Sequence, residues 1–395
     1  MQSLFLQKIM YQNKMNIALI SETAIDEKKG TSVYVDEISK NLAKKHNVFL
    51  FLPNNKNFKS KKDKFGRRII YINNINKSFF YTNRKNFLKK LETTLDELHL
   101  KNNFDIFHCL YGHYFHFIKK YNRPIYWTCH NVPPNENKPF FYSKNLILQL
   151  LNKYFFWIIK IKHRYLIRSF NYKNIIVPSN YVKNILCNDL NINKKKIIHI
   201  NNGVNLKKIQ QPKNKKFNKF TILTIAAFKY HKNLHLIPKI LENLENCALQ
   251  WIIVGKKRDI KYHNQYYKHF NKFILQKKII LKEEVSDMEK TQLYKKSHLY
   301  VQLSLNEGFG IPLLESKFYN LNSLSTICGA SKEITNQFGG SLIYKIDASL
   351  IAKKIAQIFK SKRKYKNYRL KDLNNWNWKN LTNKLNSIYK NVNFK

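Results

Sequence analysis

NEGFGIPLLES, Asn306 to Ser316, sets Gly308, Gly310 and Pro312 between two glutamates, Glu307 and Glu315. Glycine is otherwise scarce, with 10 in 395 residues. Each glycine costs about 1 kcal/mol relative to alanine inside a helix, so two this close mark a turn whose backbone approaches something closely. The preceding LYVQLS reads as a strand ending at Ser304, and Pro312 suits a first helical turn. Gly308, Phe309, Gly310 and Ile311 then form a strand-to-helix turn. Free N–H groups and the helix dipole make such a turn a site for an anion, a diphosphate above all. Glu307 sits at the lip, and Glu315 lies one turn into the helix, placed to accept hydrogen bonds from sugar or ribose hydroxyls. A capped turn whose glutamates merely favour the helix start reads equally well from these residues alone.

Apolar runs of strand length alternate with helical patterns on both sides of this turn. Ile17–Ile20, Val48–Leu52, Ile69–Ile72, Ile106–Leu110, Ile125–Cys129, Ile175–Val177 and Ile197–Ile200 come first. Their continuous hydrophobicity suits parallel strands buried on both faces. Val35, Ile38 and Leu42 stand at helical spacing. The polar stretch Asn201–Phe220 reads as a linker. Thr221–Ala227, Trp251–Val254, Ile279–Leu281, Leu299–Leu303 and Leu324–Ile327 then resume the rhythm. The expectation is an α/β chain of two doubly wound, Rossmann-like domains, binding ligands in the cleft at the carboxyl ends of their strands. Its limits are 1–205 and 206–375, with 376–395 a C-terminal helix that packs back toward the first domain. Trp378, Leu381, Leu385 and Ile388 form that helix's apolar face.

Lys and Arg number 72 against 24 Asp and Glu, a net charge of +48. Two readings stand: a preference for polyanions, or compositional drift, since the lysines are scattered and Lys, Asn, Ile, Tyr and Phe rise together. No recognition-helix pattern, zinc finger or RNP-like aromatic signature points to a specific nucleic acid. Cys109, Cys129, Cys187, Cys247 and Cys328 lie far apart without a CxxC pair, which fits a reducing compartment. Lys8 and Lys14 interrupt any leader-like apolar run, and no uncharged run nears the ~18 residues that span a bilayer. The expected location is the cytoplasm, including the inner face of its membrane. Within Asn145–Phe170, Ile147, Leu151, Tyr154, Ile158, Ile161 and Tyr165 form one helical stripe, with Lys153, Lys160 and Arg164 largely opposite. That helix is either a buried domain helix with basic edges or one that docks on an anionic membrane surface.

Glu307–Glu315 resembles the E-x7-E signature, with its internal GFG, of the retaining GT-B glycosyltransferases of family 4. The resemblance covers most of the chain. AAFKYHKNLHLIPKIL is similar to the family's strand–loop–lysine segment, implying that Lys232, on an accessible loop, meets the donor phosphates. WIIVG implies a nucleotide-facing turn at Gly255. KKGTSVYVDEISKNLAKK resembles the glycine loop and first helix that face donor diphosphate and acceptor, at Gly30 and Thr31. TCHN puts His130 where a strand-end histidine contacts the transferred sugar, and His108, also after a strand, is expected on the acceptor side. The resemblance implies retaining transfer from a nucleotide-diphosphate sugar to a glycan or lipid-linked acceptor in cell-envelope polysaccharide or lipopolysaccharide synthesis. His130 and Glu307 would be catalytic, and Gly308–Pro312 with Glu315 would hold the donor. UDP- and GDP-sugars both fit; GDP-mannose is singled out because Lys232-Asn233 resembles some mannosyltransferases. No cofactor or metal is expected, because Lys232 and the helix terminus take the role of a divalent ion and no DxD-like pair is obvious. Lys29 before Gly30, Ala227 in place of an arginine, and Asn320-Leu321-Asn322 in place of Gly-x-Pro depart from the family pattern. The rival functions are a basic polyanion-binding protein and a scaffold that keeps the fold without catalysis.

Overall fold

The computed structural model describes residues 14–25, 30–54, 60–73, 80–111, 115–131, 146–170, 172–204, 215–256, 260–361 and 374–391. Lys8, Lys29, Asn145 and residues 205–214 of the expected linker lie outside these. Strands β1 (Asn16–Ser21), β2 (Asn47–Asn54), β3 (Lys61–Lys62), β4 (Arg68–Asn73), β5 (Ile106–Tyr111), β6 (Ile125–Thr128), β7 (Asn174–Val177) and β8 (Ile197–His199) form one sheet. Its order is β3-β4-β2-β1-β5-β6-β7-β8, parallel throughout except β3 on β4. Helices α1 (Gly30–Ala43), α2 (Phe80–Asn102), α3 (Leu146–Ser169) and α4 (Asn180–Asn184) lie between its strands.

A second, wholly parallel sheet holds β9 (Phe220–Ile225), β10 (Leu249–Val254), β11 (Ile279–Lys282), β12 (Leu299–Gln302), β13 (Asn322–Thr326) and β14 (Ser341–Ile343). Its order is β11-β10-β9-β12-β13-β14. Around it stand α5 (Leu236–Glu242), α6 (Ile260–Leu275), α7 (Asp287–Lys296), α8 (Ile311–Phe318), α9 (Ser331–Phe338) and α10 (Ala348–Ser361).

The strands read as continuous apolar runs because both faces are covered. In β1, Ile17 and Leu19 pack with Tyr34, Val35 and Ile38 of α1, whereas Ala18 and Ile20 join Phe104 and Phe107 in the opposite layer. All four strand residues are fully buried. Successive side chains of a strand point to opposite faces, so no polar position is left over. In β10 the same split sends Trp251 and Ile253 to one layer and Ile252 and Val254 to the other.

Helix α11 (Trp378–Lys390) lies on the first sheet's side of the molecule. Trp378, Leu381, Leu385 and Tyr389 are buried against α1, and Ile388 is only partly covered. The return crossing is pinned where Val204 N–H donates to the Trp376 carbonyl at 2.9 Å. The Asn377 side chain caps the helix by accepting from Asn380 N–H at 2.8 Å.

Helix α3 overturns its reading as a buried domain helix. Ile147, Tyr154 and Tyr165 are 67%, 59% and 70% exposed. The cause is length. A 24-residue helix runs about 36 Å, whereas the four-residue strands β6 and β7 that flank it span about 13 Å. The sheet covers only one end of the helix, where Ile167 and the following Phe170 enter the core.

Candidate active site

Strand order reverses beside β1 and β5 in the first sheet and between β9 and β12 in the second. Such switch points open a crevice at the carboxyl ends of the strands. Lys232 closes a one-turn helix (Tyr230–Lys232) after β9, and Glu307 follows β12. Strand adjacency therefore joins groups 75 residues apart: Lys232 Nζ donates to Glu307 Oε1 at 2.6 Å. Ser304 Oγ donates to the same oxygen at 2.8 Å. Both side chains of the ion pair are only 17% exposed, which corrects the expectation that Lys232 stands on an accessible loop. Burial pushes the Glu307 carboxyl up, but the Lys232 ammonium, His231 and the Ser304 hydroxyl outweigh it and hold the acid below its ordinary range. Glu307 is an anion at neutral pH.

The two glycines of the turn have different physical reasons. A Cβ on Gly308 would lie 1.7 Å from the carbonyl oxygen of His130, so the close approach anticipated there is to the protein's own first domain. Gly310 has φ +97° as the residue before α8, a conformation that L side chains rarely adopt. Among the described residues, no backbone acceptor meets the amides of Phe309, Gly310 and Ile311, which leaves donors at the start of α8. The Phe309 side chain is buried near Trp376, which leaves its backbone, the part expected to meet the donor, at the turn. Pro312 lies in the first turn of α8. Glu315, in its second turn, is held by Lys290 Nζ at 2.8 Å and by the Tyr294 hydroxyl at 2.9 Å.

Gly255 follows β10, where a Cβ would fall 1.9 Å from the Ala226 carbonyl oxygen. Tight packing of two strand ends demands that glycine. From the first domain, Gly30 opens α1, and a Cβ there would stand 3.7 Å from Ile311 Cδ1. The start of α1, with Thr31 next to Gly30, thus faces the start of α8 across the cleft. His130, just past β6, donates from Nε2 to the Leu110 carbonyl at 2.9 Å. A carbonyl only accepts, so Nε2 carries the proton and Nδ1 keeps its lone pair. Burial pulls the His130 imidazolium down to about 4, against the hydrogen bond to Leu110, so the ring is neutral at physiological pH. Tyr34 packs edge-on against it at 4.5 Å.

His108 does not line the acceptor side. It is fully buried in β5, with Nδ1 bonded to the Tyr389 hydroxyl and Nε2 to Thr128 Oγ1 at 2.9 Å. Its polar atoms are satisfied inside the packing between the first sheet and α11.

The family described as Glycosyl transferases group 1 matches residues 206–371, and that described as Glycosyltransferase Family 4 matches residues 28–208. The chain belongs to the family 4 glycosyltransferases, with the GT-B fold. A curated relative is the O-antigen chain mannosyltransferase RfbU of Salmonella typhimurium, 28% identical over 212 residues. That match covers 51% of this chain and 56% of the relative, so the chain spans little more than half the relative's length. Sucrose-phosphate synthase from Thermosynechococcus elongatus superposes with a TM-score of 0.78 at 15% identity, covering 95% of this chain and 98% of its own. The Anabaena protein HepE in complex with UDP and glucose does so at 0.71 and 13%, covering 96% and 100%.

In this glycosyltransferase, the domain contact also uses Ser179, Asn180, Asn131 and Glu333, which the sequence reading did not single out. Ser179 Oγ donates to the Gly308 carbonyl at 2.7 Å, and Asn306 Nδ2 donates to Asn131 Oδ1 at 3.3 Å. Asn180 N–H donates to Glu333 Oε1 at 2.7 Å. Lys290 and Tyr294, the partners of Glu315, were missed as well. The Ser304 hydroxyl had a readable signal, since it ends the strand before the turn. A pocket of about 390 Å³ lined by Ile167, Arg168, Tyr172, Asn193 and Lys196, among others, is separate from this site. It sits at the amino ends of β7 and β8, opposite the cleft.

Proposed function

We propose that this glycosyltransferase is a retaining enzyme that moves a sugar from a nucleotide-diphosphate sugar to a glycan or lipid-linked acceptor in cell-envelope polysaccharide synthesis. The observation that carries the reading is the meeting of Lys232, Glu307 and the Phe309–Ile311 amides at the switch point of the second sheet, opposite Gly30 and His130. Lys232 and the turn would stabilise charge growing on the departing diphosphate, the main electrostatic task of such a transfer. The Glu307 carboxylate and the His130 Nδ1 lone pair accept hydrogen bonds, as sugar hydroxyls require. Glu315, already oriented by Lys290 and Tyr294, would accept from the ribose.

The likeness to HepE, solved in complex with UDP and glucose, supports a nucleotide-diphosphate donor. The likeness to an O-antigen mannosyltransferase supports mannose as the sugar and favours GDP-mannose over UDP-sugars. No divalent ion would be needed, since Lys232 and the α8 terminus carry the positive charge. The test is mass spectrometry of products from a mixed donor panel with envelope lipid extract, run with and without EDTA. Transfer from GDP-mannose that survives EDTA, with the anomeric configuration retained by NMR, is the expected result. Transfer only from UDP-sugars would overturn the donor assignment. Loss of activity in EDTA, restored by magnesium, would overturn the metal-free reading.

A further inference from the structure

We propose that the outward face of α3 lies on an anionic bilayer and holds the mouth of the cleft at the membrane surface. Ile147, Leu151, Tyr154, Ile158, Ile161 and Tyr165 follow one another at spacings of four and three, which places them on one stripe. Each is at least 40% exposed. Trp157 and Phe155 widen the stripe on either side, at 58% and 59%. Single exposed apolar residues are ordinary, but a contiguous band marks an interaction surface. Among the described residues no helix is long and apolar enough to cross a membrane.

Charge decides the occupant. Residues Leu146–Ser169 contain Lys153, Lys160, Lys162, Arg164 and Arg168 and no acidic residue. At about 100° per residue, Lys162 stands to one side of the Tyr165 line, and Arg164 and Arg168 to the other. Lys162 and Arg168 are exposed, while Lys160 turns inward toward Asp189 Oδ2 at 3.4 Å. An apolar band with cations at its edges and aromatic rings within it matches the boundary between acyl chains and anionic headgroups. A second copy is a poor occupant, because a chain of formal charge +48 would bring two basic rims together.

Topology orients the surface. In a parallel sheet the connecting helix runs opposite to the strands, so the N-terminal end of α3 lies at the carboxyl edge of β6, the edge that carries His130. The bilayer would then meet the molecule beside the acceptor side of the cleft, where a lipid-linked acceptor emerges. That last step rests on the proposed function; the membrane contact does not.

The full chain is tested by co-sedimentation with phosphatidylglycerol–phosphatidylcholine vesicles and with phosphatidylcholine alone, alongside size-exclusion chromatography. Binding to the anionic vesicles that weakens with salt is expected, and Leu151→Glu with Ile158→Glu should reduce it by roughly tenfold or more. Lys162→Glu with Arg164→Glu should abolish the preference for anionic vesicles. Calorimetric titration with nucleotide diphosphates should be unchanged in both variants, so a failure of the donor assignment is read separately. Equal binding to both vesicle types overturns the anionic partner. No vesicle binding, or a dimer that Leu151→Glu with Ile158→Glu disperses, overturns the proposal as a whole.

Discussion

Lys232 and Glu307, placed at the donor site in the proposed reading, also form a buried ion pair that bears on the fold. Removing one member of a buried pair strands the other charge, which costs about 3 kcal/mol or more. Lys232→Ala should therefore lower stability by roughly that amount and also weaken donor binding. Lys232→Met combined with Glu307→Gln should recover most of the stability and none of the binding. Thermal denaturation and calorimetry on the same samples distinguish the two effects. A double variant with normal affinity for nucleotide diphosphates would remove Lys232 from the donor site.

Lys317 behaves differently, because among the described residues no carboxylate pairs with it. Burial pulls its ammonium down to about 7, and Ser323 Oγ accepts from Nζ at 2.5 Å. In the unfolded chain this lysine titrates near 10.5. Between those values the unfolded state binds more protons, so this group makes stability rise with pH from about 7 to about 10.5. Below 7 both states are charged, and the burial penalty is constant. Lys317→Met should raise the melting temperature more near pH 7 than near pH 10, as calorimetric scans would show. An equal gain at both values would mean that the lysine is not buried as an ammonium at neutral pH.

Elements were legible where one physical cause ruled them. The strands of both sheets announce themselves because double burial leaves no polar position in runs such as Ile17–Ile20. β14 and β3 escaped, being three and two residues long, too short for any period to repeat. His108 was misplaced because its partners Thr128 and Tyr389 are brought to it by tertiary packing, Tyr389 from 281 residues away. A histidine at a strand end looks the same in sequence whether it faces a cleft or a helix. Lys232 reads as exposed for a related reason, since its burial depends on Glu307. Helix α11 is the element that the first domain borrows from the chain's far end. Trp378 packs beneath it against Tyr34, with ring centroids 5.9 Å apart. Trp378→Ala should destabilise the protein by about 3–5 kcal/mol, the usual cost of emptying a core indole site. Exchange of backbone amides should speed up in β1 and α1 before it does in β9 and β10. Uniform acceleration across both sheets would mean that the two domains unfold as one unit.

The cleft is closed over a backbone contact, and that contact is what the scarce glycine at 308 permits. Its neighbour Gly310 serves the turn itself through a positive φ, so the two glycines answer to different constraints. A methyl group at Gly308 would overlap the His130 carbonyl, which belongs to the main chain of the other domain and cannot swing aside as a flexible side chain would. The bond from Ser179 Oγ to the Gly308 carbonyl would be strained in the same movement. Gly308→Ala should hence leave both domains folded and separate them by an ångström or more. If donor binding rests, as proposed, on Lys232 and the α8 terminus within the second domain, it should fall only a few-fold. Turnover should fall by about 100-fold, the scale expected when reacting groups are displaced by roughly 1 Å. Small-angle scattering, donor titration and product formation on one preparation make the test. A variant that keeps wild-type turnover would show that catalysis does not require the close approach of His130 to the Glu307–Glu315 turn.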